Sequence, residues 1–205
     1  MENHTLYYDT ITRLTTAISQ CRDPEEVALM TAQSVKTAFN AKGCCVFLVD
    51  RESRELGLVA ASGLSDTYLN KGVVHFMQEI REAKDAVPIA IFDVQDDPRI
   101  EYPNEAVQEG IASLLGVPVI SHDKVIGAIR VYTATPWEFS FNDITMVQAV
   151  ACICGMAMDM CRLVKGYKTS IEILKDMRRP AVSGQGKWTP YEGVPQSIEQ
   201  SICDY

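Results

Sequence analysis

The sequence predicts an α+β domain in which five strands form one antiparallel sheet and helices from both ends of the chain pack on one of its faces. Two observations carry this. Apolar runs of strand length come in pairs around short polar turns, Cys44–Asp50 with Leu56–Ala61 and Leu114–Ile120 with Val125–Tyr132, which is the pattern of a β-hairpin. Apolar residues at helical spacing flank them, before Asn40 and after Ser140.

The elements follow in order. Tyr7, Ile11, Leu14 and Ile18 give Thr5–Gln20 a helical stripe. Asp23-Pro24-Glu25-Glu26 then predicts a second helix start, with Asp as cap, Pro at the first helical position and Glu26 where a capping box needs it. That helix should run to about Asn40 and bury Ala28, Ala32, Val35 and Phe39. The hairpin of Cys44–Asp50 and Leu56–Ala61 turns at Arg51–Arg54, and Val73–Ala83 reads as a helix with Val74, Met77 and Ile80 on one side. Val87–Asp93 is the expected third strand, with Pro88 marking an edge. After an acidic loop and a short helix, the second hairpin turns at Ser121–Lys124.

The last helix, capped by Ser140 or Asn142, should continue to about Arg178. It has two apolar rows, one through Val147, Val150, Cys154, Ala157, Cys161 and Val164, the other through Met146, Ala149, Ile153, Met156, Met160, Leu163 and Tyr167. A helix that covers only a sheet needs a single apolar stripe about 100° wide. The second row therefore predicts a further helical neighbour, in part the N-terminal helices and in part a second copy of the chain, giving a homodimer through terminal helices. Pro180, Pro190 and Pro195 among Ser and Gly then preclude a long helix and mark a tail. The organisation expected is an N-terminal helix (1–22), a domain (23–163), a helical extension (164–179) and a Pro/Gly-rich tail (180–205).

With 205 residues, 47% of them hydrophobic, the chain can bury one full core plus extensions. Its net charge of −8, with no basic stripe beyond the pair Arg178-Arg179, argues against nucleic acid and anionic membrane as partners. Met1–Thr5 has no basic start before an apolar run, so no signal peptide is expected. Ala149–Met160 is too short to span a bilayer and is interrupted by Gly155 and Asp159. Seven cysteines, an odd number and mostly in apolar runs, suggest reduced thiols and a cytoplasmic protein.

The residues Asp93, Asp97-Pro98-Arg99, Glu109-Gly110, Ser113-Leu114-Leu115, Val117-Pro118, Ile126-Gly127, Tyr132, Phe139 and Asp143 resemble, in type and spacing, the second half of a GAF domain. The resemblance extends over about Glu25–Leu163. It implies a GAF-like, PAS-related fold with a loop- and helix-covered cavity on the sheet face away from the terminal helices. It also implies a small-molecule-sensing or signalling role without catalysis, with an unknown small-molecule effector and a possible signalling partner protein. A ligand-free dimerisation module is the alternative, and a redox-active enzyme of the free methionine sulfoxide reductase kind a more distant one.

In Val125–Tyr132, Val125, Gly127, Ile129 and Val131 should face the helices, leaving Ile126, Ala128, Arg130 and Tyr132 on the cavity side. Arg130 is the candidate clamp for a carboxylate or phosphate, or else the partner of a loop carboxylate. The other candidate ligand-binding residues are Phe92, Asp93, Asp97, Arg99 and Tyr102 of the covering loop, His75 and Phe76 of the cavity helix, and Leu115. The aspartates lack the ligand periodicity of a Ca²⁺ loop, and the Cys152/Cys154 and Cys154/Cys161 spacings suit no tetrahedral ion. Neither a metal nor a cofactor is expected, and no catalytic residue is assigned. The Asn-Lys of cyclic-nucleotide-binding relatives is replaced by Thr133-Ala134, and the bilin-attachment Cys-His and the sulfoxide reductase cysteine motif do not occur.

Overall fold

The structure is a computed structural model and describes residues 2–21, 23–50, 56–70 and 87–178, with side chains of 2–6, 176 and 178 left aside. The chain falls into two units, Met1–Val164 and Lys165–Tyr205. The first holds α1 (Glu2–Ile18), α2 (Pro24–Ala38), β1 (Gly43–Val49), β2 (Leu56–Ser62), α3 (Asp66–Leu69), β3 (Ile89–Ile91), α4 (Pro103–Glu109), β4 (Ser113–Ser121) and β5 (Lys124–Thr133). Helix α5, Phe141–Arg178, begins in the first unit and is the described part of the second. The strands form one sheet in the order β2-β1-β5-β4-β3, with every neighbouring pair antiparallel.

Local chemistry explains the helix ends. Asp23 accepts a hydrogen bond from the Glu25 backbone N–H, and Pro24 opens α2 where its missing N–H costs nothing. The same helix closes with Asn40 at φ 45°, Asn40 N–H donating to Thr37 and Ala41 N–H to Lys36. This is a Schellman closure with Asn in the left-handed position. Ser140 and Asp143 cap each other at the start of α5: the Ser140 N–H donates to the Asp143 carboxylate, and the Asp143 N–H to the Ser140 hydroxyl.

The sheet separates two cores. Behind it, Cys44, Val46, Leu48, Leu115, Val117, Val119, Ile129 and Val131 pack on α1, α2 and α5. In front, Cys45, Phe47, Ile91, Leu114, Ala128 and Tyr132 pack with Tyr68, Val94, Ala106 and Ile111. Cys44 and Cys45 thus point into opposite cores, as alternation requires. Gly155 lets α5 press onto β4, since a Cβ there would lie 3.0 Å from the Ile120 carbonyl oxygen.

The structure departs from the sequence reading at several places. The third strand is three residues long, because Pro88 has no N–H to give and the chain turns at Asp93. Ile126 packs with the rear cluster instead of facing forward. The pairing slips between Val119↔Gly127 and Ile120↔Val125, so a bulge at Ile126 resets the alternation. Helix α3 had no counterpart in the sequence reading, since four residues are too few to show a period. The run Phe141–Lys175 is also long and apolar enough by length and composition to cross a membrane, although 44% of its most apolar window is buried in the protein. The short stretch Ala149–Met160 understated it. The expected helix over 73–83, the turn 51–54 and the tail 180–205 lie outside the described residues.

Candidate functional site

Strand β5 lies between β1 and β4 and carries Ala128, Arg130 and Tyr132 on its front face. Arg130 stands opposite Cys45 on β1 and Gly116 on β4. Only 4% of Arg130 is exposed. Its guanidinium carbon lies 5.8 Å from the centre of the Phe47 ring, within cation–π range, and Tyr132 follows two residues on along the same face. The rings of Tyr132 and Tyr68 meet edge to face, their centres 5.8 Å apart.

Burial pushes the Tyr68 hydroxyl up to about 12, against the pull of nearby Arg130, and burial likewise raises Tyr132 well above its ordinary value. Both phenols therefore stay protonated at neutral pH and act as hydrogen-bonding groups. Helix α3 holds Tyr68 in place. Ser65 accepts from the Tyr68 N–H at 3.2 Å, while the Ser65 N–H (2.9 Å) and hydroxyl both donate to Glu109 at the end of α4.

The acidic loop crosses this front face. Val94 and Ile100 sink into the front core, and the Val94 N–H donates to the Ala112 carbonyl at 3.0 Å. The charged residues of the loop shape its turns. Asp93 accepts from the Gln95 N–H at 2.9 Å, and Asp97 accepts from both the backbone N–H and the guanidinium of Arg99. That guanidinium holds the Asp97 carboxyl below its ordinary range, with burial opposing. Phe92 is 57% exposed, and half-buried Tyr102 precedes Pro103 at the start of α4.

A family model described as the GAF domain matches residues 23–158, more than half of the chain. The chain belongs to the GAF-domain family. Solved structures agree with that fold. A domain assigned to a two-component sensor histidine kinase protein from Sinorhizobium meliloti is 26% identical, with 70% of this chain and 96% of that one covered and a TM-score of 0.60. The GAF domain of a phosphoenolpyruvate-protein phosphotransferase from Coxiella burnetii is 17% identical over 79% of this chain and 98% of that one, with a TM-score of 0.69. The free methionine-R-sulfoxide reductase of Neisseria meningitidis is 18% identical over 77% and 91%, with a TM-score of 0.59. Among curated proteins, none matches.

Within this GAF domain, Arg130, Tyr132 and the loop residues Phe92, Asp93, Asp97, Arg99 and Tyr102 belong to the front-face and loop region described above. Leu115 does not. It is paired with Val131 and lies in the rear core, and the front-facing residue of β4 is Leu114, opposite Tyr132. His75 and Phe76 lie outside the described residues. Tyr68 and Phe47 were missed by sequence reasoning. Phe47 was recoverable, because it shares the face of Cys45 two residues before it. Tyr68 had no periodic signal, being set by a four-residue helix.

Among the described residues no group of three or more His, Cys, Asp or Glu could hold a metal. Burial raises the thiols of Cys21, Cys44 and Cys161, and pushes Cys154 up to about 11. A thiol raised in this way is a poor nucleophile at neutral pH.

Proposed function

We propose that this GAF domain is a non-catalytic, small-molecule-sensing regulatory module of the cytoplasm that works as a homodimer through its terminal helices. Arg130 carries the reading. It is a deeply buried guanidinium on a central strand, on the sheet face away from the helices, with Tyr132 and Tyr68 beside it. A planar donor fork of this kind suits a carboxylate or phosphate, and two neutral hydroxyls would add orientation. Whatever acceptors hold Arg130 in the resting domain, an incoming anion competes with them. That exchange would bias the loop of residues 92–102 and the strands behind it, and through α5 a second copy or a signalling partner protein.

The raised thiols of Cys21, Cys44, Cys154 and Cys161 favour this reading over a redox enzyme. One observation favours a second reading, a dimerisation module that takes no ligand. The outward side of α5 exposes Met156, Met160 and Leu163, an apolar surface that requires no effector to be useful. Thermal unfolding in the presence of millimolar carboxylate and phosphate metabolites separates the two. At least one anion should raise the midpoint of the wild type and leave Arg130→Ala unmoved. A panel with no effect on the wild type leaves only the dimerisation module.

A further inference from the structure

Three sulfur atoms from distant parts of the sequence meet where the connection between α1 and α2 passes α5. The Cys21 sulfur lies 3.2 Å from the Met30 sulfur of α2 and 3.5 Å from the Ala17 carbonyl oxygen of α1. The Cys161 thiol, 140 residues away on α5, donates to the Cys21 carbonyl at 3.8 Å, and the two cysteines lie within electrostatic reach of each other. Both are free thiols. Cys161 is buried, whereas Cys21 and Met30 are half-buried and pack at the margin of the rear core, which leaves the cluster a way to solvent.

The donor set selects the ion. Thiolate and thioether sulfur are soft ligands and suit Cu(I). Zinc asks for four nitrogen, thiolate or carboxylate donors, and among the described residues no three His, Cys, Asp or Glu come together to supply them. The carboxylates of Glu26 and Asp23 act from farther off, Glu26 on both thiols and Asp23 on Cys161. Their negative charge keeps the thiols protonated and draws a cation toward them. Metal–sulfur bonds of about 2.3 Å in a trigonal plane place the sulfurs about 4 Å apart. The Cys21–Met30 pair must then open by about 0.8 Å, which a half-buried thioether with three rotatable bonds can supply.

We propose that Cys21, Met30 and Cys161 form a binding site for one Cu(I) ion. The two cysteine sulfurs bind as their protons leave to solvent, the Met30 thioether completes the plane, and no electron is transferred. A bound ion ties the α1–α2 connection to α5 behind the sheet. Arg130 lies on the opposite face, so the site is independent of the anion reading and either can fail alone.

Anaerobic competition for Cu(I) between the full chain and the chelator bicinchoninate, with a thiol-free reductant present, tests it. The wild type should withdraw one Cu(I) per chain. Cys21→Ser and Cys161→Ser should each lose about 100-fold or more in affinity, and Met30→Leu, which keeps the side-chain volume, about 10-fold. Cys152→Ser, at an exposed position of α5, should bind as the wild type does. Circular dichroism and melting midpoints identify the variants that remain folded, and Met30→Leu keeps the test decisive should a serine disturb the core. X-ray absorption at the copper edge should show sulfur neighbours at about 2.3 Å. A wild type that yields all its Cu(I) to bicinchoninate would overturn the site, as would folded serine variants that hold the ion as tightly as the wild type. Loss of binding in Cys152→Ser, undiminished binding in Met30→Leu, or nitrogen and oxygen neighbours in the absorption spectrum would overturn it equally.

Discussion

Two buried polar residues set the terms for this domain, and they have different jobs. Arg130 belongs to the front face, whereas Asp143 ties the back together. The Asp143 carboxylate is buried, which disfavours its charge. Hydrogen bonds from the Tyr7 hydroxyl, the Ser140 backbone N–H and the Trp137 indole outweigh that cost and hold it below its ordinary range. A carboxyl whose folded value lies below its unfolded one stabilises the fold above the unfolded value, near pH 4, and loses that contribution as pH falls through the folded value. Asp143→Asn should therefore cost about 1–3 kcal/mol at pH 7 by urea unfolding. The gap to wild type should narrow below about pH 4, and a gap that stays constant with pH would refute the charged-cap account.

The sequence made Asp143 visible as a family-like position but not as a knot joining α1, the β5–α5 connection and α5. Its partner Tyr7 lies 136 positions away, beyond the reach of any local pattern.

At the level of elements, hairpins and caps were legible because their signals are local. The two hairpins, the Asp23-Pro24 start and the Ser140 cap need only neighbouring residues to be read. Misreadings arose where tertiary pairing sets the geometry. The bulge at Ile126 reverses a face that strict alternation would assign, and Leu115 is turned to the rear by its register against Val131. Close approach also leaves its mark at Gly127, where a Cβ would sit 2.2 Å from the Phe47 carbonyl oxygen of β1. Both atoms lie in a paired ladder and cannot move apart cheaply. Gly127→Ala should destabilise the domain by about 1–3 kcal/mol in chemical denaturation. Gly155→Ala, which meets Ile120 at 3.0 Å and gains up to about 1 kcal/mol in helix propensity, should cost less. A reversed order would mean that the β1–β5 contact is looser than the geometry shows.

For the whole molecule, the sheet stands between the face that carries Arg130 and the face that packs on the helices. Arg130, Tyr132 and Tyr68 lie in front. Behind, α5 presses on β4 at Gly155 and presents its second stripe outward. The two-stripe character of α5 was readable from its apolar rows alone, because helical period is a sequence property. The assembly around Arg130 was only half readable, since one of its tyrosines is delivered by a helix without periodicity. The account stands or falls on whether Arg130 receives an anion. Isothermal titration of the strongest carboxylate or phosphate binder into wild type and Arg130→Met, whose aliphatic side chain keeps most of the buried volume, decides it. Wild type should bind, and the equally folded variant should lose about 2–3 kcal/mol of affinity, on the order of 100-fold. Equal affinity in the two proteins would contradict the account.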